Sequence, residues 1–109
     1  MLDQLKSAPD KIQFSEVIEF IEKHYTFTPT RFINGNEVNE AGHNNGSCKI
    51  LSFAKMKGLS KEEALQLFGD YYRKDVLLNP NGKDHQNIRN FMNSGWEGVQ
   101  FDGEALEEK

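Results

Sequence analysis

Residues 25–46 interrupt a sequence that is otherwise patterned for helices. The first part mixes aromatic residues with threonines, which favours an extended strand, and Pro29 restricts that strand to an edge or a bend. The pair Asn34-Gly35 predicts a two-stranded hairpin over residues 31–39, because both residue types accept positive φ. Five of the ten asparagines in the chain lie between positions 34 and 45. The segment therefore predicts a short hairpin followed by an irregular loop rich in Asn and Gly.

Helix signals lie on both sides of this segment. Ser15 is expected to cap a helix that ends near His24, because the apolar residues after it recur at helical spacing. Ser47 is expected to cap a second helix over residues 48–57, and Gly58 then stands where a glycine commonly ends a helix.

The second half of the chain carries further start and stop signals. Ser60 and Glu63 have the spacing of a capping box, which predicts the start of a third helix that extends to Val76. Asp84 is expected to cap a fourth helix. Residues 102–109 hold few apolar side chains and are expected to be frayed or weakly helical.

These signals predict an α+β fold that is mainly helical. We expect a single domain over residues 1–109, with about four helices, a short β-hairpin and the irregular Asn/Gly-rich loop. The expected core spans about residues 14–101, and residues 102–109 form an acidic tail. The length accords with one domain, since a typical domain holds about 100–150 residues.

The charge distribution argues against two classes of partner. The net charge is −4, and residues 97–109 alone sum to −4, so the remainder of the chain is neutral. Nucleic acids and anionic membrane surfaces both attract proteins that carry a basic patch. The charge balance of this chain indicates no such patch, so we expect neither a nucleic acid nor a membrane as a partner. The chain has no run of about 18 apolar residues that would span a bilayer. The single cysteine, Cys48, excludes an intramolecular disulfide and suits a reducing, cytoplasmic environment.

The Asn/Gly-rich loop is the first candidate site. Asn39, His43, Asn44 and Ser47 lead into the expected second helix, and a helix N-terminus beside glycine-freed amides can hold a carboxylate or a phosphate. The order of residues does not match a nucleotide-binding P-loop. The alternative is that these side chains only form hydrogen bonds to the irregular backbone of the loop itself.

Cys48 is the second candidate because it is expected at the start of a helix. The helix dipole there stabilises a thiolate, and His43 or His85 could serve as its base, which describes a small thiol-dependent enzyme. The alternative is that Cys48 is a small apolar residue buried in the core.

The third candidate is a polar cluster of Asp84, His85 and Arg89, joined by Arg73 and Asp75 from the end of the preceding helix. His85 and Arg89 stand four residues apart and share a helix face, which suits an anion clamp. A zinc pair would need a second histidine where Arg89 stands, so we expect no metal, and no motif for another cofactor is present. The alternative is that these residues tie helix to helix.

The first and third candidates are expected to meet. Asn, His and Arg are costly to bury without partners, at about 1–3 kcal/mol for each unsatisfied group. We therefore expect Asn44, His85 and Arg89 to lie close together, with two helix N-termini facing one pocket that favours a small anionic ligand.

Several long phrases occur in order along the chain: Tyr25-x-Phe27-Thr28-Pro29-Thr30, Phe32-x-Asn34-Gly35, Gly42-x-Asn44-x-Gly46-Ser47-Cys48-Lys49, Leu67-Phe68-Gly69-x-Tyr71-Tyr72-Arg73-x-Asp75-Val76-Leu77, Asp84-His85-x-Asn87-Ile88-Arg89-x-Phe91-Met92 and Gly95-Trp96-x-Gly98. Through these phrases the chain closely resembles the HopJ type III effector protein family over about residues 14–106. The family takes its name from a protein that plant-pathogenic bacteria deliver into host cells. The resemblance implies a bacterial, virulence-associated protein that is either cytoplasmic or exported by a type III secretion system.

The resemblance implies no catalytic residue, so the function expected from the residues remains open. We expect a small binding or interaction module whose partner is a protein or a small anionic ligand. The alternatives are the thiol-dependent enzyme and a purely structural role for the polar phrases. The sequence leaves the oligomeric state open.

Overall fold

The structure is a computed structural model that describes residues 2–109, and its α+β, mainly helical fold confirms the expected class. Within these residues it contains five α-helices, namely α1 Leu2–Ser7, α2 Phe14–His24, α3 Asn45–Met56, α4 Lys61–Gln66 and α5 Gln86–Ser94. The five strands are β1 Tyr25–Phe27, β2 Phe32–Asn34, β3 Glu37–Asn39, β4 Val99–Phe101 and β5 Leu106–Glu108. Short 3-10 helices span Pro9–Lys11 and Gly95–Gly98, and a π-helix spans Tyr71–Val76.

The predicted hairpin is confirmed. β2 and β3 pair antiparallel, with Phe32 opposite Asn39 and Asn34 opposite Glu37. The connecting loop is Gly35-Asn36, one position later than the sequence signal suggested, and Gly35 adopts the positive φ of +61° that the turn requires. β4 pairs with the other edge of β2, so the sheet has the order β3-β2-β4.

The prediction of a frayed or weakly helical C-terminal tail is wrong. Residues Leu106–Glu108 form β5, which pairs antiparallel with β1 and places Leu106 opposite Phe27. Ala105 and Leu106 are buried. The partner strand lies about eighty positions earlier in the chain, so local propensity could not indicate this pairing.

The core packs α2 and α3 against the aromatic residues of the surrounding elements. Phe53 of α3 lies edge-on to Phe20, with ring centroids 5.8 Å apart, and edge-on to Tyr25 at 5.9 Å. Buried apolar residues also lie outside the expected range of 14–101: Leu5, Ile12, Ala105 and Leu106. Both chain ends therefore contribute to the core.

The expected third helix is divided into two pieces. Its capping box is confirmed: Ser60 Oγ accepts from the Glu63 amide at 3.1 Å, and Glu63 Oε1 accepts from the Ser60 amide at 3.0 Å. The α-helix nevertheless ends at Gln66, and the chain turns at Gly69, which has a φ of +63°. A Cβ atom at Gly69 would lie 2.6 Å from the Phe14 amide nitrogen, so glycine permits the close approach of α2 to this turn.

Helix α2 begins one residue before the predicted cap. Gln13 is its N-cap residue, with extended backbone and no side-chain hydrogen bond to the helix within residues 2–109. Ser15 therefore lies inside the first turn, so the prediction that it caps α2 is wrong. The Glu16 amide donates a hydrogen bond to the Gln13 carbonyl at 3.1 Å, and this first turn of the helix contains Ser15. The end of α2 at His24 is as predicted.

Candidate functional site

A cleft of about 440 Å³ lies between the starts of α3 and α5. Residues from the hairpin, from both helix starts and from the turn before the π-helix form its walls: Phe14, Glu37, Asn44, Gly46, Ser47, Phe68, Tyr71, His85, Gln86, Asn87 and Ile88. Three of the nine residues proposed from the sequence line this cleft, namely Asn44, Ser47 and His85. The cleft thus brings together Asn44 and Ser47 of the first candidate site and His85 of the third.

Both helices begin at residues with left-handed backbone. Asn44 (φ +55°) is the N-cap of α3, and His85 (φ +51°) is the N-cap of α5. Within residues 2–109 no other residue except glycine has a positive φ. The predictions that Ser47 and Asp84 cap these helices are therefore wrong, because each helix starts from a left-handed residue instead, and Asn and His adopt this backbone more readily than most residues. Ser47 is instead the third residue of α3.

Neither helix start is capped by a side chain among residues 2–109. The first turn of a helix leaves its amide N–H groups without helical partners and carries about half a positive charge. The first backbone bonds that enter the two helices come from the Cys48 amide to the Asn44 carbonyl, at 3.0 Å, and from the Arg89 amide to the His85 carbonyl, at 3.1 Å. The amides of residues 45–47 in α3 and of residues 86–88 in α5 therefore have no helical partner, and they lie at the end of each helix that meets the cleft.

An asparagine cluster, made of Asn34, Asn39, Asn44 and Asn87, adjoins the cleft, which Asn44 and Asn87 also line. Asn39 Oδ1 accepts hydrogen bonds from Asn44 Nδ2 at 2.6 Å and from Asn87 Nδ2 at 2.9 Å. Asn87 Oδ1 accepts from Asn39 Nδ2 and from Asn34 Nδ2, both at 3.1 Å. Asn34, Asn39 and Asn87 are buried, whereas Asn44 is exposed.

The asparagine cluster fixes the hairpin to both helix starts. Asn34 and Asn39 belong to β2 and β3, Asn44 precedes α3 and Asn87 lies in the first turn of α5. Asn34 Nδ2 also donates to the Asn87 main-chain oxygen at 2.7 Å. Because buried amides are costly to leave unpaired, the cluster holds the two helix N-termini in one relative position. Asn34 Oδ1 is buried and has no hydrogen-bond partner within residues 2–109.

His85 connects the cleft to the end of the π-helix. Its Nε2 atom lies 3.0 Å from Asp75 Oδ2 and 3.7 Å from Asp84 Oδ2. Its ring stacks on Tyr71, with centroids 5.0 Å apart and an interplanar angle of 30°. These contacts fix the orientation of the imidazole, which is partly exposed at the cleft wall.

Arg89 does not reach the cleft. It donates to the Asp84 carbonyl at 2.6 Å, to the Asn79 carbonyl at 2.8 Å and to Asp84 Oδ1 at 2.6 Å. The hydrogen bond from Arg89 lowers the pKa of Asp84. Arg89 therefore organises the loop before α5, and the expectation that it joins Asn44 and His85 in one pocket is not met.

Arg73 also has a structural position. Its guanidinium donates to the Pro9 carbonyl at 3.0 Å, to Gln66 Oε1 at 2.9 Å and to the Ile12 carbonyl. It ties the π-helix to the end of α4 and to the N-terminal 3-10 helix, away from the cleft.

Cys48 and the histidines proposed as its base are not brought together. Cys48 is buried, and its Sγ atom donates to the Thr30 carbonyl at 3.7 Å. Burial raises the pKa of the Cys48 thiol, in spite of hydrogen bonds and Lys49 that lower it. Within residues 2–109 no hydrogen bond joins Cys48 to His43 or His85, and His43 is exposed. The geometry therefore favours the core role that the sequence left open for Cys48.

Sequence reasoning missed two members of the asparagine cluster and one charged cleft residue. Asn34 shares a strand face with buried Phe32, which is the one local sign that it points inward. Asn87 precedes the buried Ile88 and gives no such sign. Glu37 lines the cleft only because the hairpin folds over α5.

Comparisons with known proteins give a family and a fold. A model of the HopJ type III effector protein family matches residues 1–106. The crystal structure of the unknown-function protein VPA0580 is similar with a TM-score of 0.98 and 55% identity, covering 99% of this chain and 90% of that one. No curated protein matches. Within residues 2–109 no helix combines the length and the apolar composition needed to cross a membrane.

Proposed function

The chain belongs to the HopJ type III effector protein family, and we propose that it acts as a small binding module whose cleft takes a carboxylate group. One observation carries the proposal: the uncapped starts of α3 and α5 line the same cleft. Amide N–H groups at a helix N-terminus bind anions, and here two sets converge.

The helix dipoles give the cleft a preference for negative charge. Each helix N-terminus stabilises an anion by about 0.3–1 kcal/mol, so two together favour an anionic ligand over a neutral isostere by about 3- to 30-fold. Both helices exceed two turns, with 12 residues in α3 and 9 in α5, so each carries a developed dipole.

Two further features favour an organic monocarboxylate over inorganic phosphate. Glu37 lines the cleft, and its negative charge opposes a doubly charged phosphate more strongly than a singly charged carboxylate. The rings of Phe14, Phe68 and Tyr71 also line the cleft and offer apolar surface for the organic portion of the ligand. A partner protein could present the same chemistry as a C-terminal carboxylate or an acidic side chain.

The alternative, a thiol-dependent enzyme, has less support. A nucleophilic cysteine needs a lowered pKa and an accessible sulfur, whereas Cys48 is buried with a raised pKa. The binding module therefore ranks first.

Benzoate and benzamide test the binding proposal because they share shape and differ in charge. We expect isothermal titration calorimetry to detect benzoate binding, and benzamide to bind about 3- to 30-fold more weakly. Equal affinities would contradict the anion preference, and the absence of benzoate binding would contradict the carboxylate cleft.

Ser47→Asp locates the binding in the cleft. The new carboxylate lies in the first turn of α3, where it stabilises the helix by about 0.3–1 kcal/mol and competes with the ligand. We expect an intact fold and loss of benzoate binding. Ser15→Asp is the matched control, because Ser15 occupies the first turn of α2 and does not line the cleft. Equal benzoate affinity in both variants would place binding elsewhere.

Family membership also favours export through a type III secretion system. A fusion of the full chain to a reporter enzyme that is active only in host cytosol tests this. Reporter activity that depends on a functional secretion system supports export, whereas a fusion that is produced in the bacterium but gives no reporter activity supports a cytoplasmic role.

A further inference from the structure

Three potential metal ligands converge beside the cleft. Asp75 lies in the π-helix, Asp84 in the loop that follows, and His85 at the start of α5. One ligand atom from each lies within 4.8 Å of the other two. The set is separate from the amide groups of the carboxylate cleft, although His85 forms part of the wall of both.

The distances suit one small divalent ion. His85 Nε2 lies 3.0 Å from Asp75 Oδ2 and 3.7 Å from Asp84 Oδ2. Ligands bonded at about 2.1 Å lie about 3.0 Å apart in octahedral and about 3.4 Å apart in tetrahedral coordination. The two distances from His85 are already near these values, and the two aspartate oxygens, which lie within 4.8 Å of each other, approach further when they share one ion.

The ligand groups are already oriented and accessible. The His85 ring is held by stacking on Tyr71, and Asp84 Oδ1 accepts a hydrogen bond from Arg89 at 2.6 Å, which leaves Asp84 Oδ2 free for an ion. Asp75 and Asp84 are exposed and His85 is partly exposed. Hydrogen bonds that orient a ligating carboxylate are a regular part of metal sites.

We propose that Asp75, Asp84 and His85 bind one Zn²⁺ ion. An imidazole nitrogen favours a first-row transition metal over Mg²⁺ or Ca²⁺, and two carboxylates balance the charge of a divalent ion. The Arg89 guanidinium opposes the ion electrostatically, so affinity is lower than in a site without it. This site lies outside the proposed function and does not depend on carboxylate binding.

The sequence places Asp75 in the same polar cluster as Asp84 and His85 but does not indicate a metal. Asp75 stands ten residues before His85, on a different element, so the three residues form no local metal motif. One helical turn after His85 stands Arg89 where a zinc pair would need a second ligand, and for this reason no metal is expected from the sequence.

Titration of the full chain with zinc chloride, followed by calorimetry, tests the proposal. We expect one Zn²⁺ per chain, with an affinity that falls at least about tenfold in His85→Asn and in Asp75→Asn. Asparagine accepts left-handed backbone, so His85→Asn preserves the start of α5, and a thermal melt confirms that each variant folds.

Two control variants distinguish this site from nonspecific zinc binding at other exposed residues. His43→Asn removes an exposed histidine and Asp10→Asn removes an exposed carboxylate, both outside the cluster. We expect both controls to keep the affinity of the unmodified chain. Failure to bind Zn²⁺, or equal losses in His43→Asn and His85→Asn, overturns the proposal.

Discussion

Replacing Asn87 with alanine tests how strongly the asparagine cluster holds the two helix starts. The substitution removes three side-chain hydrogen bonds: those that Asn87 Oδ1 accepts from Asn34 and Asn39, and the one that Asn87 Nδ2 donates to Asn39 Oδ1. Asn34 keeps its bond to the main-chain oxygen of residue 87, at 2.7 Å, and Asn39 Oδ1 keeps its bond from Asn44.

The expected cost follows from these bonds. Each contributes about 0.5–1.5 kcal/mol net, and the partners left behind are buried, so the free energy of unfolding should fall by about 2–4 kcal/mol. Urea m-values for small proteins are about 1–3 kcal/mol/M, so at a value of about 2 kcal/mol/M the unfolding midpoint should fall by about 1–2 M.

Urea unfolding followed by circular dichroism measures this cost. Asn93→Ala is the matched control, because Asn93 is exposed on the same helix and should change stability by less than about 0.5 kcal/mol. A loss below about 1 kcal/mol in Asn87→Ala, or an equal loss in both variants, would refute the view that the cluster fixes the helix starts.

Three further predictions concern the tail, the capping box and the thiol. Deleting residues 105–109 removes β5 and the buried Leu106, so we expect the free energy of unfolding to fall by about 2–5 kcal/mol. Thermal unfolding measures this loss, and an unchanged midpoint temperature would show that β5 does not stabilise β1. Ser60→Ala should lower the free energy of unfolding by about 0.5–2 kcal/mol. The main-chain amide of Ser60, and next its hydroxyl, lower the pKa of Glu63. The stability that the Glu63 carboxylate contributes is therefore complete above the ordinary carboxyl pKa of about 4.3 and is lost as pH falls through the lowered pKa. Urea unfolding of the unmodified chain and of Glu63→Gln between neutral and acid pH should show their difference shrinking towards acid; a constant difference would contradict the assignment. Burial raises the pKa of Cys48, so iodoacetamide should alkylate it slowly in the folded protein at about pH 8 and fast only in denaturant, and fast native alkylation would contradict its burial.

Features that depend on neighbours in sequence were predicted well. The capping box of Ser60 and Glu63 needs two residues three positions apart, and the hairpin needs a turn signal between short strands, so both were correct. Gly58 likewise has the positive φ of +66° expected of a helix-terminating glycine.

Features that depend on distant contacts were missed or misplaced. Asn39 and Asn87 are 48 residues apart, and Asn44 adopts left-handed backbone where its side chain meets Asn39, so the start of α3 lies before Ser47. The sequence did indicate that Asn44 and His85 share a cleft. Polar residues that are unfavourable to bury without hydrogen-bond partners cluster in two short segments, one around each of these residues. The sequence also assigned Arg89 to this cleft, wrongly. The Arg89 guanidinium instead donates hydrogen bonds to Asp84 and to the Asn79 carbonyl, and the sequence does not show these contacts.

Amide-resolved NMR of the isotope-labelled chain during a benzoate titration tests the carboxylate cleft most directly. The amides of Gly46 and Ser47 in α3 and of Gln86 and Asn87 in α5 should shift together and saturate with a single dissociation constant, because one anion contacts both helix starts. Shifts confined to one helix, or shifts that fail to saturate, would contradict a shared anion site.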